Sequence, residues 1–367
     1  MKDIVRRVGQ RFMVGFEGQA ASPDVKALIR DFGVGGIVLF ARNVAAPEQV
    51  AELVRELQSL ARDASHDRPL LVAVDQEGGR VARLKEPWTV WPAARAVGRV
   101  GSEETARQVG QALAEELSAC GIRCDFAPCV DVDTNPKNPV IGDRSFGDDP
   151  DLVGRLGSAM IRGLQENGVA ACAKHFPGHG DTDVDSHLDL PAVDHSRARL
   201  EDVELRPFRM AIAAGVASVM TSHVLVREID DARPATLSPA VIGGLLRKDL
   251  GWTGVVVTDD LEMKAVAARF TPAQIAVLAA QAGCDVLEFC KTHDGQVEAI
   301  EALVRACESG EVPFKEAEAS EARVRALKDR FLATYCDPDP KLARQAAESG
   351  THRALAEAIA VRSGIVV

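Results

Sequence analysis

The chain has 367 residues, 46% hydrophobic and 26% charged, which is enough apolar material for one barrel-sized domain or two ordinary ones. Its 43 lysines and arginines face 54 acids, and the net charge of -11 argues against nucleic acid or an anionic membrane as partner. No apolar run approaches the roughly 20 residues of a membrane span.

In chain order, the basic N-terminus, Met1 to Phe16, lacks an apolar signal core and a small-residue cleavage site, which predicts a cytoplasmic protein. Short apolar runs then alternate with helical patterns. The expected strands are Phe12–Phe16, Gly36–Phe40, Leu70–Asp75, Asp125–Val132, Val169–Phe176, Ser218–His223, Gly254–Asp259 and Asp285–Phe289. Pro23, Pro47, Pro150, Pro239 and Pro272 stand where a first helical turn would begin. Near-continuous apolar strands separated by helices indicate a parallel sheet covered by helices. Eight such units predict an α/β fold of the (β/α)8 TIM-barrel type, with an open doubly wound sheet as the structural alternative. Further helices are expected over Asp294–Ser309, Phe314–Thr334 and, beyond a Pro-rich break at Cys336–Pro340, Lys341–Val361. The expected organisation is a barrel over residues 1–335 and a helical tail over 336–367, packed on the barrel or on a partner subunit. The eight cysteines show no CxxC pairs, and several sit in apolar runs, as reduced, buried thiols do.

Barrel active sites are built at the carboxyl ends of the strands, and here these ends deliver polar groups together. The third run ends in Asp75, Gln76 and Glu77 with Arg83 beyond it; the fourth leads through Asp131 and Asp133 to Asp143 and Arg144. The fifth delivers Lys174 and His175, the sixth Thr221 to His223, and the seventh Asp259 and Asp260. Such convergence fits a small polyhydroxylated or anionic ligand. For Asp260, capping of a helix over Leu261–Ala268 is an equal reading.

The densest stretch is Lys174 to His187, KHFPGHGDTDVDSH, directly after a buried-strand pattern. Titratable groups concentrated at a strand end are costly unless a site uses them. Three readings stand side by side. His175, His179 and His187 with Asp181, Asp183 and Asp185 form a possible divalent-metal set. Asp185 and His187 form a possible acid–base pair, the carboxylate fixing the imidazole tautomer. A solvated loop whose aspartates and glycines only make turns is the third.

Three motifs, Asp75 to Val81 (DQEGGRV), Lys174 to Gly180 (KHFPGHG) with Asp185-Ser-His187, and Val257 to Met263 (VTDDLEM), resemble glycoside hydrolase family 3, specifically its β-N-acetylhexosaminidase branch. The resemblance spans the barrel from about Gly9 to the helix before Thr334. It implies a retaining exo-β-N-acetylglucosaminidase with Asp259 as nucleophile, His187 as acid/base and Asp185 as its partner. It likewise implies sugar binding by Asp75, Arg83, Arg144, Lys174 and His175, with no metal and no organic cofactor. The implied substrate is a small oligosaccharide or a cell-wall muropeptide, handled by a monomer or homodimer. Glycine and proline at Pro177, Gly178 and Gly180 fit a loop that closes over substrate. Two other functions compete: a phosphorylase using phosphate as acceptor, and a sugar-binding barrel without catalysis. The tail from Leu355 to Val367 resembles the segment where larger family members enter a second α/β domain.

Overall fold

In a computed structural model, which describes residues 2–186 and 189–365, eight of the apolar runs become parallel barrel strands. They are β1 (Phe12–Val14), β2 (Gly36–Leu39), β3 (Leu71–Val74), β4 (Cys124–Asp125), β5 (Ala170–Phe176), β6 (Ser218–Thr221), β7 (Val255–Val257) and β8 (Leu287–Phe289). Each pairs with its sequence neighbour, β1 also pairs with β8, and a bridge between Val257 and Val286 closes the ring. The fold is an α/β TIM-type barrel. The closed sheet leaves no strand edge unpaired, which excludes the open-sheet alternative.

The fourth strand is shorter than its apolar run. Pro128 lacks the N–H that would continue the ladder, so only a bridge from Cys129 to Lys174 prolongs it. Strand alternation sends one set of side chains inward: Met13, Val38, Ala73, Cys124, Cys172, Met220, Val257, Val286 and Cys290 form a single interior cluster. The opposite set packs under the helices in a larger cluster. All eight cysteines are free thiols, six of them buried.

The covering helices begin where the sequence signals them. Pro47 and Pro150 open α1 (Pro47–Asp63) and α3 (Pro150–Glu166), and Ser102 caps α2 (Glu103–Ala119) by accepting from the Thr105 N–H. Helix α4 (Leu205–Ala213) precedes β6, and a Thr271–Gln274 capping box starts α5 (Pro272–Ala282). Helix α6 (His293–Ser309) follows β8. Pro239 instead precedes a wide-turn helix, Ala240–Asp249.

Helix α7 (Phe314–Leu332) lies across the amino ends of the strands. Ser320 and Arg323 bond Asp285 just before β8, Lys328 bonds Gln10 before β1, and Asp329 pairs with Arg68 before β3. Its Val324, Leu327, Phe331 and Leu332 join the interior cluster and close the barrel from below.

The expected last helix is two helices. Ser349 accepts from the His352 N–H and starts a new helix, so the segment divides into α8 (Pro340–Ala347) and α9 (Gly350–Ser363). Helix α8 packs on α1 and α2, and α9 on a short helix, Ala94–Val100. His352 on α9 bonds Glu116 (2.9 Å) and Glu115 (3.0 Å) of α2. A cavity of about 890 Å³ lies beside α9 and is walled mainly by apolar groups such as Val90, Ala356, Val361 and Ile365. None of the carboxylates at the barrel mouth lines it. No described helix is long and apolar enough to cross a membrane.

Candidate active site

At the carboxyl end of β3 the chain makes a tight hairpin, Gln76–Gly78 against Val81–Ala82. Gln76 pins it: its N–H donates to Asp125 Oδ1 (2.9 Å), while its side chain bonds Leu84 O and the Arg83 and Leu84 N–H groups. Gly78 and Gly79 sit at positive φ where an added Cβ would strike Pro92 O and Ala93, so the turn requires glycine. This places Asp75, Glu77 and Arg83 together.

Strand β5 then brings Lys174 into the same space. Lys174 Nζ lies 2.8 Å from Asp75 Oδ1 and 2.7 Å from Glu77 Oε1, and its side chain is only 2% exposed. Arg83 Nη2 reaches the other oxygen of Asp75 at 3.1 Å. Arg144 grips Glu77 with two nitrogens, at 2.9 and 2.8 Å. Burial opposes ionisation of Asp75, but Lys174 and Arg83 hold its carboxyl below the usual range; burial likewise opposes Glu77, which Arg144 and Lys174 hold well down. Burial pulls on Lys174 too, and its two carboxylates outweigh that and raise it. The result is a network of two acids and three bases with one positive charge in surplus.

His175 joins through Arg144. The Arg144 guanidinium can only donate, so His175 Nε2 (3.1 Å) accepts, while Nδ1–H donates to Asp131 Oδ2 at 2.7 Å, which fixes the tautomer. Asp131 also accepts the His175 N–H (3.1 Å), the His179 N–H (2.6 Å) and the Cys129 thiol (3.2 Å). Its carboxyl lies at about 2 because, against its burial, the neighbouring histidines and these hydrogen bonds favour the charge.

The loop beyond is packed at its root. Pro177, Gly178 and Gly180 are buried, and a Cβ on Gly180 would collide with Val132 O, so these residues serve close packing. His179 is held by Thr182 Oγ1 (2.8 Å) and Ser186 Oγ (3.0 Å), and burial lowers it to about 4. Asp181 pairs with His195 instead, and Asp183 with Asn135. Among the described residues the one group spaced to hold a metal is Cys129, Asp131 and His175, already bonded to one another; none of the loop aspartates joins it. Asp185 is half-buried, and His187 lies outside the described residues.

Asp259 follows β7, half-buried at the mouth, with Oδ1 accepting the Asp260 N–H at 2.8 Å. Burial raises its carboxyl, yet His223, His175 and Lys174 bring it below the ordinary value, leaving it ionised at neutral pH. His223 is fixed by Thr236 Oγ1 (2.9 Å) and donates from Nε2 to Asp260 O (3.0 Å). Asp260 caps no helix: its Oδ1 accepts from Glu262 N (3.1 Å) and Cys290 N (3.3 Å), tying the turn to β8. The helix that follows covers only Lys264–Ala267.

The arrangement offers an ionised, partly open carboxylate at one strand end and a cationic cradle at three others. Residues 4–327 match the model of the glycosyl hydrolase family 3 N-terminal domain. The chain belongs to glycosyl hydrolase family 3. It is 40% identical over 276 residues to a β-hexosaminidase of Neisseria meningitidis, covering 73% of this chain and 74% of the relative. It is 36% identical over 331 residues to β-hexosaminidase A of Pseudoalteromonas piscicida, matching 84% of this chain but only 55% of that longer relative. Among solved structures, a family 3 β-N-acetylglucosaminidase from Paenibacillus superposes with a TM-score of 0.92 at 44% identity, over 98% of this chain and 68% of that one. NagZ from Neisseria gonorrhoeae, in complex with N-trifluoroacetyl-D-glucosamine, superposes at 0.77 with 32% identity, over 96% and 98%.

For this family 3 glycoside hydrolase, the structure brings Asp75, Arg83, Arg144, Lys174, His175 and Asp259 to one face. Two members of the network, Glu77 and Asp131, were not singled out as site residues from sequence. Glu77 was visible as a second acid inside the DQEGGRV motif, and Asp131 as an acid closing an apolar run.

Proposed function

We propose that the chain is a retaining exo-β-N-acetylglucosaminidase that removes terminal β-linked N-acetylglucosamine from small oligosaccharides or muropeptides. The observation that carries this reading is the ionised Asp259 facing the Lys174–Asp75–Arg83 and Arg144–Glu77 pairs across one mouth. In this proposal the pyranose hydroxyls bond Asp75, Arg83, Arg144, Lys174 and His175. Hydrogen bonds to charged groups contribute about 1.5–3 kcal/mol each. Asp259 attacks the anomeric carbon while His187, oriented by Asp185, gives its proton to the departing glycosidic oxygen. His187 then takes a proton from water as the water displaces Asp259 from the glycosyl ester, so the anomeric configuration is retained.

The same proposal treats residues 1–335 as the catalytic barrel and 336–367 as a helical tail. It places the enzyme in the cytoplasm as a monomer or homodimer, acting in cell-wall recycling.

The test is nitrophenol release from the β-N-acetylglucosaminide and the β-glucoside, each with and without phosphate. A phosphate-independent preference for the N-acetyl sugar is expected. A rate that collapses without phosphate makes this a phosphorylase, and silence on both sugars sinks the glycosidase reading.

A further inference from the structure

Glu288 is an acid in a place where barrels normally bury hydrocarbon. It is the middle residue of β8, flanked two positions away on either side by Val286 and Cys290, both members of the interior cluster. Strand alternation therefore turns Glu288 inward as well. Its neighbour across β1 is Met13, an interior apolar residue. Its backbone is fully engaged, with the N–H donating to Thr258 Oγ1 (3.0 Å) and the carbonyl accepting from Leu261 N (2.9 Å). The side chain is not: the residue is 4% exposed, and its buried Oε1 has no hydrogen-bond partner. A buried polar atom left unpaired is destabilising, so one that persists in a native structure calls for an explanation such as a catalytic role or a bound group.

The charged groups around it are those of the mouth. Asp75 at the end of β3, Asp259 and Asp260 after β7, and Lys174 of β5 are the charges that act on it. Burial, with these three like charges outweighing the single lysine, pushes its carboxyl well above the usual carboxylate range. A protonated carboxyl both donates and accepts, unlike the ionised Asp75 and Glu77 nearby. A sugar hydroxyl is its natural complement, since it too donates and accepts.

We infer that Glu288 is a sugar-recognition residue on the floor of the mouth, its side-chain carboxyl completed by one hydroxyl of the bound pyranose. The inference rests on the glycosidase reading and deepens it: beside the charged clamp, the site has a neutral hydrogen-bonding contact for one specific hydroxyl.

The experiment is a cycle between enzyme and substrate. Parent, Glu288→Leu and Glu288→Asp are assayed on nitrophenyl β-N-acetylglucosaminide and on its 3-, 4- and 6-deoxy forms. Glu288→Asp keeps the carboxyl but withdraws it by one methylene, so it serves the same cycle should the leucine variant fail to melt cooperatively. One deoxy position is expected to lower kcat/KM of the parent by about tenfold or more and to have little further effect in either variant. Penalties that are the same in parent and variants at all three positions overturn the inference while leaving the glycosidase reading intact. A parent silent on the intact substrate removes the glycosidase reading, and the inference with it.

Discussion

Replacing Lys174 with methionine tests the network at its centre. The side chain is 2% exposed and bridges two carboxylates at 2.8 and 2.7 Å, so the variant keeps the volume and removes only the charge. Removing one partner of a buried ion pair costs about 3–5 kcal/mol. Here Asp75 keeps Arg83 and Glu77 keeps its two-pronged Arg144, so the low end, about 3 kcal/mol, is expected. The pH dependence carries a sign. Asp75 and Glu77 sit below their ordinary values of 3.8 and 4.5, so the stability they contribute is present above those values and lost as pH falls through the folded ones. Lys174 sits above its ordinary 10.5, and its contribution is lost only as pH rises beyond that. Urea unfolding of parent and K174M should therefore show the full gap at neutral pH and a narrower one as the acids protonate below about pH 4. A gap under about 1 kcal/mol at neutral pH, or one that does not shrink in acid, refutes the reasoning.

Three other outcomes follow from the site. Asp259→Ala should abolish turnover with the fold intact; residual activity above about a tenth of parent would refute the nucleophile role. His187→Ala should be slow mainly on poor leaving groups, where proton donation limits the rate; equal losses on activated aryl and natural glycosides would count against it. Asp131→Asn presents an amide donor to N–H groups that now share a carboxylate, so kcat/KM should fall about tenfold or more as His175 loses its fixed tautomer. Parent-like kinetics in that variant would show that Asp131 supports only the loop.

The barrel was readable because its strands are near-continuous apolar runs, five of which end in a polar cluster; Asp75, Lys174 and Asp259 mark three such ends. Spacing could not show that Lys174 bridges Asp75 and Glu77, since residues about a hundred positions apart meet only because β3 and β5 both pair with β4. Nor could it separate the loop's histidines by role. His179 is spent on Thr182 and Ser186, and His175 on Asp131 and Arg144, so the histidine-rich appearance reflects packing as much as chemistry. The tail shows the opposite failure: a continuous helical pattern hid a break that one serine cap, Ser349, imposes. For Asp260 the cap stood as an equal reading, because sequence cannot reveal that its partner is the Cys290 N–H just after β8.

Helix α7 has a consequence for traffic. Because Val324, Leu327, Phe331 and Leu332 pack against the inward strand side chains from beneath, the barrel is plugged at its amino end, and a ligand reaches the strand-end residues from the carboxyl face.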